Sequence, residues 1–173
     1  MTDSPEPAAE TSAFDELESK PENILQLVSF EIGPEEYAIP ILAVQEINRM
    51  MPITRVPHSP AAVEGVINLR GRIVPVINMR SRFGLDTIHD TTDARIVVVE
   101  VGGEGRVIGF TVDRVHEVLR LDGDIVDPAP TVGSVANAHF IQGVGKLDDR
   151  LLILLDLDRL FTQDDFVHPA AAA

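Results

Sequence analysis

The residues best placed to do chemistry in this chain are its carboxylates and histidines. Asp122-Gly123-Asp124-Ile125-Val126-Asp127 sets three carboxylates within six positions, the opening of a calcium loop. Such a loop needs its glycine sixth and a bidentate glutamate twelfth, and those places hold Asp127 and Gly133. His116-Glu117 begins like a zinc-binding helix, but Arg120 stands where the second histidine belongs. Gly102-Gly103-Glu104-Gly105 could approach a phosphate, yet no Lys-Ser/Thr follows it, and it reads as a hairpin turn. Asp156 and Asp158 could act as acid and base, or they cap the helical turn that follows. The histidines at 58, 89, 116, 139 and 168 share no spacing, no nucleophile elbow is present, and cysteine is absent. The expectation is a binding module with no catalytic residues, no metal and no cofactor.

A cation offers more than these acids do. Arg70 sits in "GVINLRGRIVPVINMRSRF", which reads as two strands, a tight turn at Arg70-Gly71 and a helix start. Strand alternation sends Asn68 and Arg70 to the face opposite Leu69, and Gly71 permits the turn that presents Arg70. A guanidinium there suits a partner's carboxylate or an internal salt bridge, and both readings stand.

The same hairpin is written twice. "GVGKLDDRLLILLDLDRLF" aligns with it without a gap at an offset of 78, pairing Gly65/Gly143, Val66/Val144, Leu69/Leu147, Arg72/Arg150 and Phe83/Phe161. Upstream, Val97, Val99 and Val101 stand where Val28, Phe30 and Ile32 stood, at an offset of 69. Tyr37, Ile39, Ile41, Val44, Glu46 and Ile47 then face Ile108, Phe110, Val112, Val115, Glu117 and Val118 at an offset of 71. Two units, about 25–85 and 94–162, therefore repeat one pattern of roughly five short strands, as in small barrels. Alternation makes Leu27–Ile32 a half-buried strand, and Pro40 keeps its neighbourhood out of a central strand or a helix. The fold expected is mostly all-β, two small five-stranded barrels packed together with short helical turns, because each core alone is marginal.

Flanking segments read differently. Residues 1–23 hold seven acids against Lys20, with three prolines, and are expected to form a disordered acidic tail. A folded body over 24–162 and a short tail over 163–173 complete the organisation. The formal net charge of −14 argues against nucleic acid or an anionic membrane as partner. No apolar run approaches a membrane span, so no direct membrane insertion is expected.

"YAIPILAVQEI", "TRVPHSPAAVEGVINLRGRIVPVINMRSRFG" and the second hairpin together resemble the CheW family of bacterial chemotaxis coupling proteins, over residues 25–162. Asn78 departs from the pattern, where an acidic residue is expected before Met79-Arg80. The resemblance implies two intertwined SH3-like barrels. It also implies a cytoplasmic adaptor, monomeric when free, recruited to membrane-associated receptor arrays. Its partners would be the cytoplasmic tip of a chemoreceptor and the regulatory domain of a histidine kinase. By position it assigns Val44, Glu46 and Arg70 to receptor contact, with Ile41, Asn68 and Gly71 beside them, and leaves the kinase contact unassigned. The rival readings are a coupling-type module of a larger chemotaxis protein, a structural oligomer, or a metal-dependent hydrolase using Asp122, Asp124, Asp148 or Asp156.

Overall fold

The computed structural model describes residues 23–86, 92–103, 105–128 and 139–161. Both tails, His89, His168 and most of the irregular stretch before Phe140 lie outside the described residues. Among the described residues eleven strands form: β1 (Ile24–Ile32), β2 (Glu35–Pro40), β3 (Val44–Arg49), β4 (Val63–Leu69), β5 (Arg72–Asn78), β6 (Arg95–Val101), β7 (Arg106–Val112), β8 (Arg114–Asp122), β9 (Val126–Pro128), β10 (Ile141–Lys146) and β11 (Leu151–Leu155). One-turn helices follow the two repeated hairpins, α1 (Met79–Arg82) after β5 and α2 (Leu157–Leu160) after β11.

The strands order as β8-β1-β2-β11-β10-β9 in one sheet and β3-β6-β7-β5-β4 in the other. Each repeat therefore donates its first hairpin to the other's sheet. β1-β2 pairs on both sides with second-repeat strands, and β6-β7 sits between β3 and β5 of the first. The first sheet has six strands where five were expected, because Val126–Pro128 adds to β10. A single bridge, Thr54 to Val66, holds the corresponding place in the other sheet. This approach explains the recurring glycines: a Cβ on Gly65 would lie 2.2 Å from the Thr54 carbonyl oxygen, and one on Gly143 2.7 Å from that of Asp127.

Exchange dictates where the core sits. Leu27, Ala38, Leu121, Leu152 and Leu154 fill one sheet's interior, and Ile67, Val74, Val76, Ile96 and Val98 the other's. Between them Phe30, Ile39, Ile77, Val97, Val99, Phe110 and Leu155 form a shared layer drawn from both sheets. The half-buried reading of Leu27–Ile32 is corrected on this point. Leu27 and Ser29 are buried as well as Val28, Phe30 and Ile32. One face of β1 meets its own sheet's interior and the other meets the shared layer. Asp113 ties the exchanged hairpins together, accepting from Arg80 Nε (3.0 Å) and Nη2 (2.7 Å) and from the Gly33 amide (2.8 Å).

Tyr37 borders this layer, its ring 5.1 Å from that of Phe83 and 6.4 Å from that of Phe30. Burial, with the charge of Glu35 adding to it, pushes its phenol up to about 12. The native state thus favours the neutral phenol, so stability is intact below pH about 10 and is lost as pH rises toward 12. Tyr37 is the sole tyrosine and tryptophan is absent, so absorbance isolates it. Alkaline titration is expected to show phenolate appearing together with loss of β-sheet circular dichroism. An ordinary tyrosine titration while the sheet signal persists would contradict this.

Candidate functional site

Glu46 and Arg70 meet. Arg70 heads the β4-β5 turn with φ of 55°, followed by Gly71 at 85°, the left-handed pair a tight hairpin turn needs. The Asn68 side-chain oxygen accepts from the Gly71 amide at 2.8 Å and pins that turn. Asn68 and Arg70 are exposed while Leu69 packs toward the interior of its sheet, and Asn68 also serves the turn's backbone.

From this turn the guanidinium reaches Glu46 on β3, the edge strand of its sheet. Nη1 donates to Oε2 and Nη2 to Oε1, both at 2.8 Å. Such a fork-on-fork pair is the most directional ion pair proteins make. Arg70 is 74% exposed and Glu46 21%. The arginine's hydrogen bonds hold the Glu46 carboxyl below the usual carboxylate range, and Glu46 raises the guanidinium in return. The internal salt bridge left open by the sequence is thus present, and it also remains at the surface, open to a partner. Glu46 lies next to a register shift in the β3-β6 ladder between Val44 and Glu46.

The remaining candidates sit along the same path. Val44 and Glu46 share the partly buried face of β3, opposite Gln45 and Ile47. Ile41 does not continue the strand face of Tyr37 and Ile39, as alternation implied. β2 stops at Pro40, which cannot donate to a ladder, and Ile41–Ala43 forms a one-turn crossover between the sheets. Leu42 on that crossover is 95% exposed, the most exposed large apolar side chain among the described residues. No periodicity marks Leu42, because it belongs to neither strand.

The other half answers the contrast between the two turns. Glu117, the counterpart of Glu46, faces Arg150, which also pairs with Glu36. Arg150 corresponds to Arg72, not Arg70, so the second repeat makes its bridge from past the turn and leaves Asp148-Asp149 at the tip.

The acids set aside by sequence have structural partners. Asp122 accepts from the Asp124 amide, Asp156 caps α2 through the Asp158 and Arg159 amides, and Asp158 accepts from the Gly102 amide. His116-Glu117 lies on β8, and among the described residues no three His, Asp or Glu side chains converge to hold a metal. Asn78, at the offset of 78 from Asp156, likewise caps its helix, accepting from the Ser81 amide. Its Nδ2 donates to Glu64 at 2.7 Å, which explains why an amide can stand there. Asn78→Asp would set two carboxylates together and raise the pKa of one. A folded-state carboxyl pKa above its unfolded value means stability falls as pH rises. The variant is expected to melt several degrees below the parent at neutral pH and to recover most of that loss at about pH 4. Equal deficits at both pH values would contradict it.

Duplicate sheets that exchange hairpins, with a bidentate ion pair exposed on an edge strand, define a two-sheet β module. Comparison with known proteins agrees with this. Residues 26–165 match the CheW-like domain. The chain is 40% identical over 143 residues to the chemotaxis protein CheW of Helicobacter pylori, covering 83% of this chain and 85% of that protein. It is 35% identical over 140 residues to a probable chemotaxis protein CheW of Rhizobium etli, covering 81% and 89%. The crystal structure of the scaffolding protein TtCheW from Thermoanaerobacter tengcongensis superimposes with a TM-score of 0.73 at 36% identity, covering 82% of this chain and 94% of that one. The chain belongs to the CheW family of chemotaxis scaffold proteins. Among the described residues no helix is long and apolar enough to cross a membrane.

Proposed function

We propose that this protein is a non-enzymatic adaptor joining the cytoplasmic tip of a chemoreceptor to the regulatory domain of a histidine kinase. In this role it works in the cytoplasm and is recruited to membrane-associated receptor arrays. The observation that carries the receptor half is the bidentate Glu46–Arg70 pair, exposed beside Val44 and the Ile41–Ala43 crossover. A receptor hairpin presents parallel rows of apolar and charged side chains. The apolar row would lie along Val44 and Ile41, while a receptor carboxylate takes the outward N–H groups of Arg70 that Glu46 leaves free. Pairing with Glu46 holds Arg70 in one orientation, so little side-chain entropy is lost on docking. The chain contributes linkage: joining receptor and kinase lets one conformational equilibrium bias the other.

Separate calorimetric titrations with a receptor cytoplasmic hairpin and with the kinase regulatory domain test this reading. Saturable binding to each is expected. Absence of heat with both partners, against a folded protein, would refute it.

A further inference from the structure

We propose that this chain's own acidic segment, residues 12–18, docks in cis on the folded body: Phe14 and Leu17 enter an apolar cavity beneath the Ile41–Ala43 crossover, Glu18 meets Arg120, and a partner helix must displace them. The docking stands on the cavity and on the chemistry of the segment. Its consequence for a partner rests on the adaptor reading.

The cavity, about 390 Å³, is walled by Leu27, Ala38 and Leu154, with Ile41 and Leu42 at its rim. That volume lies in the range of sites that take up apolar groups. Among the described residues its polar side chains are Gln26, Gln142 and Arg120, and no carboxylate lines it. Other clefts on this acidic surface are lined by Glu100, Asp156 and Asp158, or by Glu31, Glu35 and Glu36. Gln26 and Arg120 stand opposite each other on β1 and β8. Arg120 is exposed, with no hydrogen bond or ion pair among the described residues. The complement of such a lining is an apolar group beside a carboxylate.

Residues 12–18, "SAFDELE", supply that complement. After Met1, Phe14 and Leu17 are the only large apolar residues before Ile24, and a tail that merely solubilises needs neither. Their i, i+3 spacing brings both to one face of a helical turn, and Glu18, four after Phe14, borders that face. Ser12 and Asp15 stand at the capping-box spacing that starts such a turn.

Connectivity favours this occupant. Ile24, the first residue of β1, itself lines the cavity, so the segment is tethered at its mouth. Leu17 is seven positions upstream of Ile24, at most about 25 Å of chain. A short tether holds the segment at an effective concentration on the order of millimolar, and two modest apolar anchors then suffice to seat it. Leu42, 95% exposed at the rim, decides how the segment lies. An occupant confined to the hole would leave Leu42 uncovered, while a helical turn that lowers Phe14 into it lays its flank across the crossover. Val44 and Glu46 follow directly on that crossover, so the seated segment and a partner helix compete for one strip of surface.

The absence of cysteine makes the test direct, because two introduced thiols report alone. Ala13→Cys and Leu42→Cys are combined in the full-length protein, and disulfide formation in a glutathione redox buffer is followed on non-reducing gels. The pair is expected to close within one chain, and about tenfold more slowly once Phe14→Ser and Leu17→Ser are added. Chain length and thiols are the same in both proteins, so the difference reads docking and not reach. All four positions lie outside the strands, and unchanged circular dichroism verifies folding. Equal rates would overturn the proposal. Disulfides formed between chains and lost on dilution would assign the cavity to a second copy and overturn it too. Without the thiols, the Phe14→Ser, Leu17→Ser protein is expected to bind a receptor hairpin about fivefold more tightly than the parent, with the kinase regulatory domain binding both alike. Equal hairpin affinity would overturn the competition. A hairpin that binds neither protein would refute the adaptor reading, with the docking still decided by the thiols.

Discussion

Replacing Arg70 with glutamate is expected to leave the protein folded while cutting its affinity for a receptor hairpin by about a hundredfold. Arg70 lies at the tip of a turn whose geometry depends on Gly71 and on the Asn68 cap, and neither changes in the variant. Its partner Glu46 stays four-fifths covered and would then face a like charge, so the turn side chain swings outward. A surface pair of this kind adds little to stability, and melting should shift by only a few degrees. Recognition is expected to suffer more, because two adjacent carboxylates would meet the receptor carboxylate proposed to pair with the guanidinium. Binding of the kinase regulatory domain is expected to persist, since the change lies within the group proposed to face the receptor. Arg70→Ala should fall between parent and Arg70→Glu. A collapsed sheet spectrum for either variant would make Arg70 a folding residue and contradict its assignment to docking.

Phe110→Ala carries the largest expected cost to folding. Phe110 comes from the second repeat yet sits in the first repeat's sheet, with its ring 5.6 Å from Phe30 of the opposite sheet and 5.6 Å from Phe161. Truncating a fully buried phenylalanine costs about 3–5 kcal/mol through lost burial and the cavity left behind. That is a large share of the roughly 5–15 kcal/mol by which domains are stable. Because each sheet is completed by a hairpin from the other repeat, neither can unfold alone. Urea denaturation of the variant should show one transition at a much lower midpoint, coincident by far-ultraviolet circular dichroism and by Tyr37 fluorescence. Two separated transitions would show that the sheets are energetically independent and that the shared layer is a minor contributor.

How far the sequence reveals this architecture depends on which interactions are local. Period-two alternation and the offsets of 69, 71 and 78 expose the strands and their duplication, because both are properties of neighbouring residues. The exchange of hairpins is a long-range pairing choice, and the family resemblance suggested it where periodicity could not. Local rules failed where tertiary contacts override them. Ser29 reads as a solvent-facing residue, yet it is buried beneath β8, where its hydroxyl donates to the Glu117 carbonyl. Ile41 reads as strand, but Pro40 ends the ladder. Arg70 and Glu46 were both legible as candidates, one by its turn and one by resemblance. Their pairing was not, since 24 residues separate them. Leu42 left no signal, because it belongs to a crossover between strands.

The adaptor reading predicts a bridge, and co-sedimentation tests it most directly. Membranes bearing the receptor are mixed with the kinase regulatory domain, with and without this protein, then pelleted and assayed for kinase. Kinase is expected in the pellet only when the protein is present, and is expected to be lost when Arg70→Glu replaces the parent. Kinase that pellets equally in both cases, or in neither, would contradict the claim that this chain links the two.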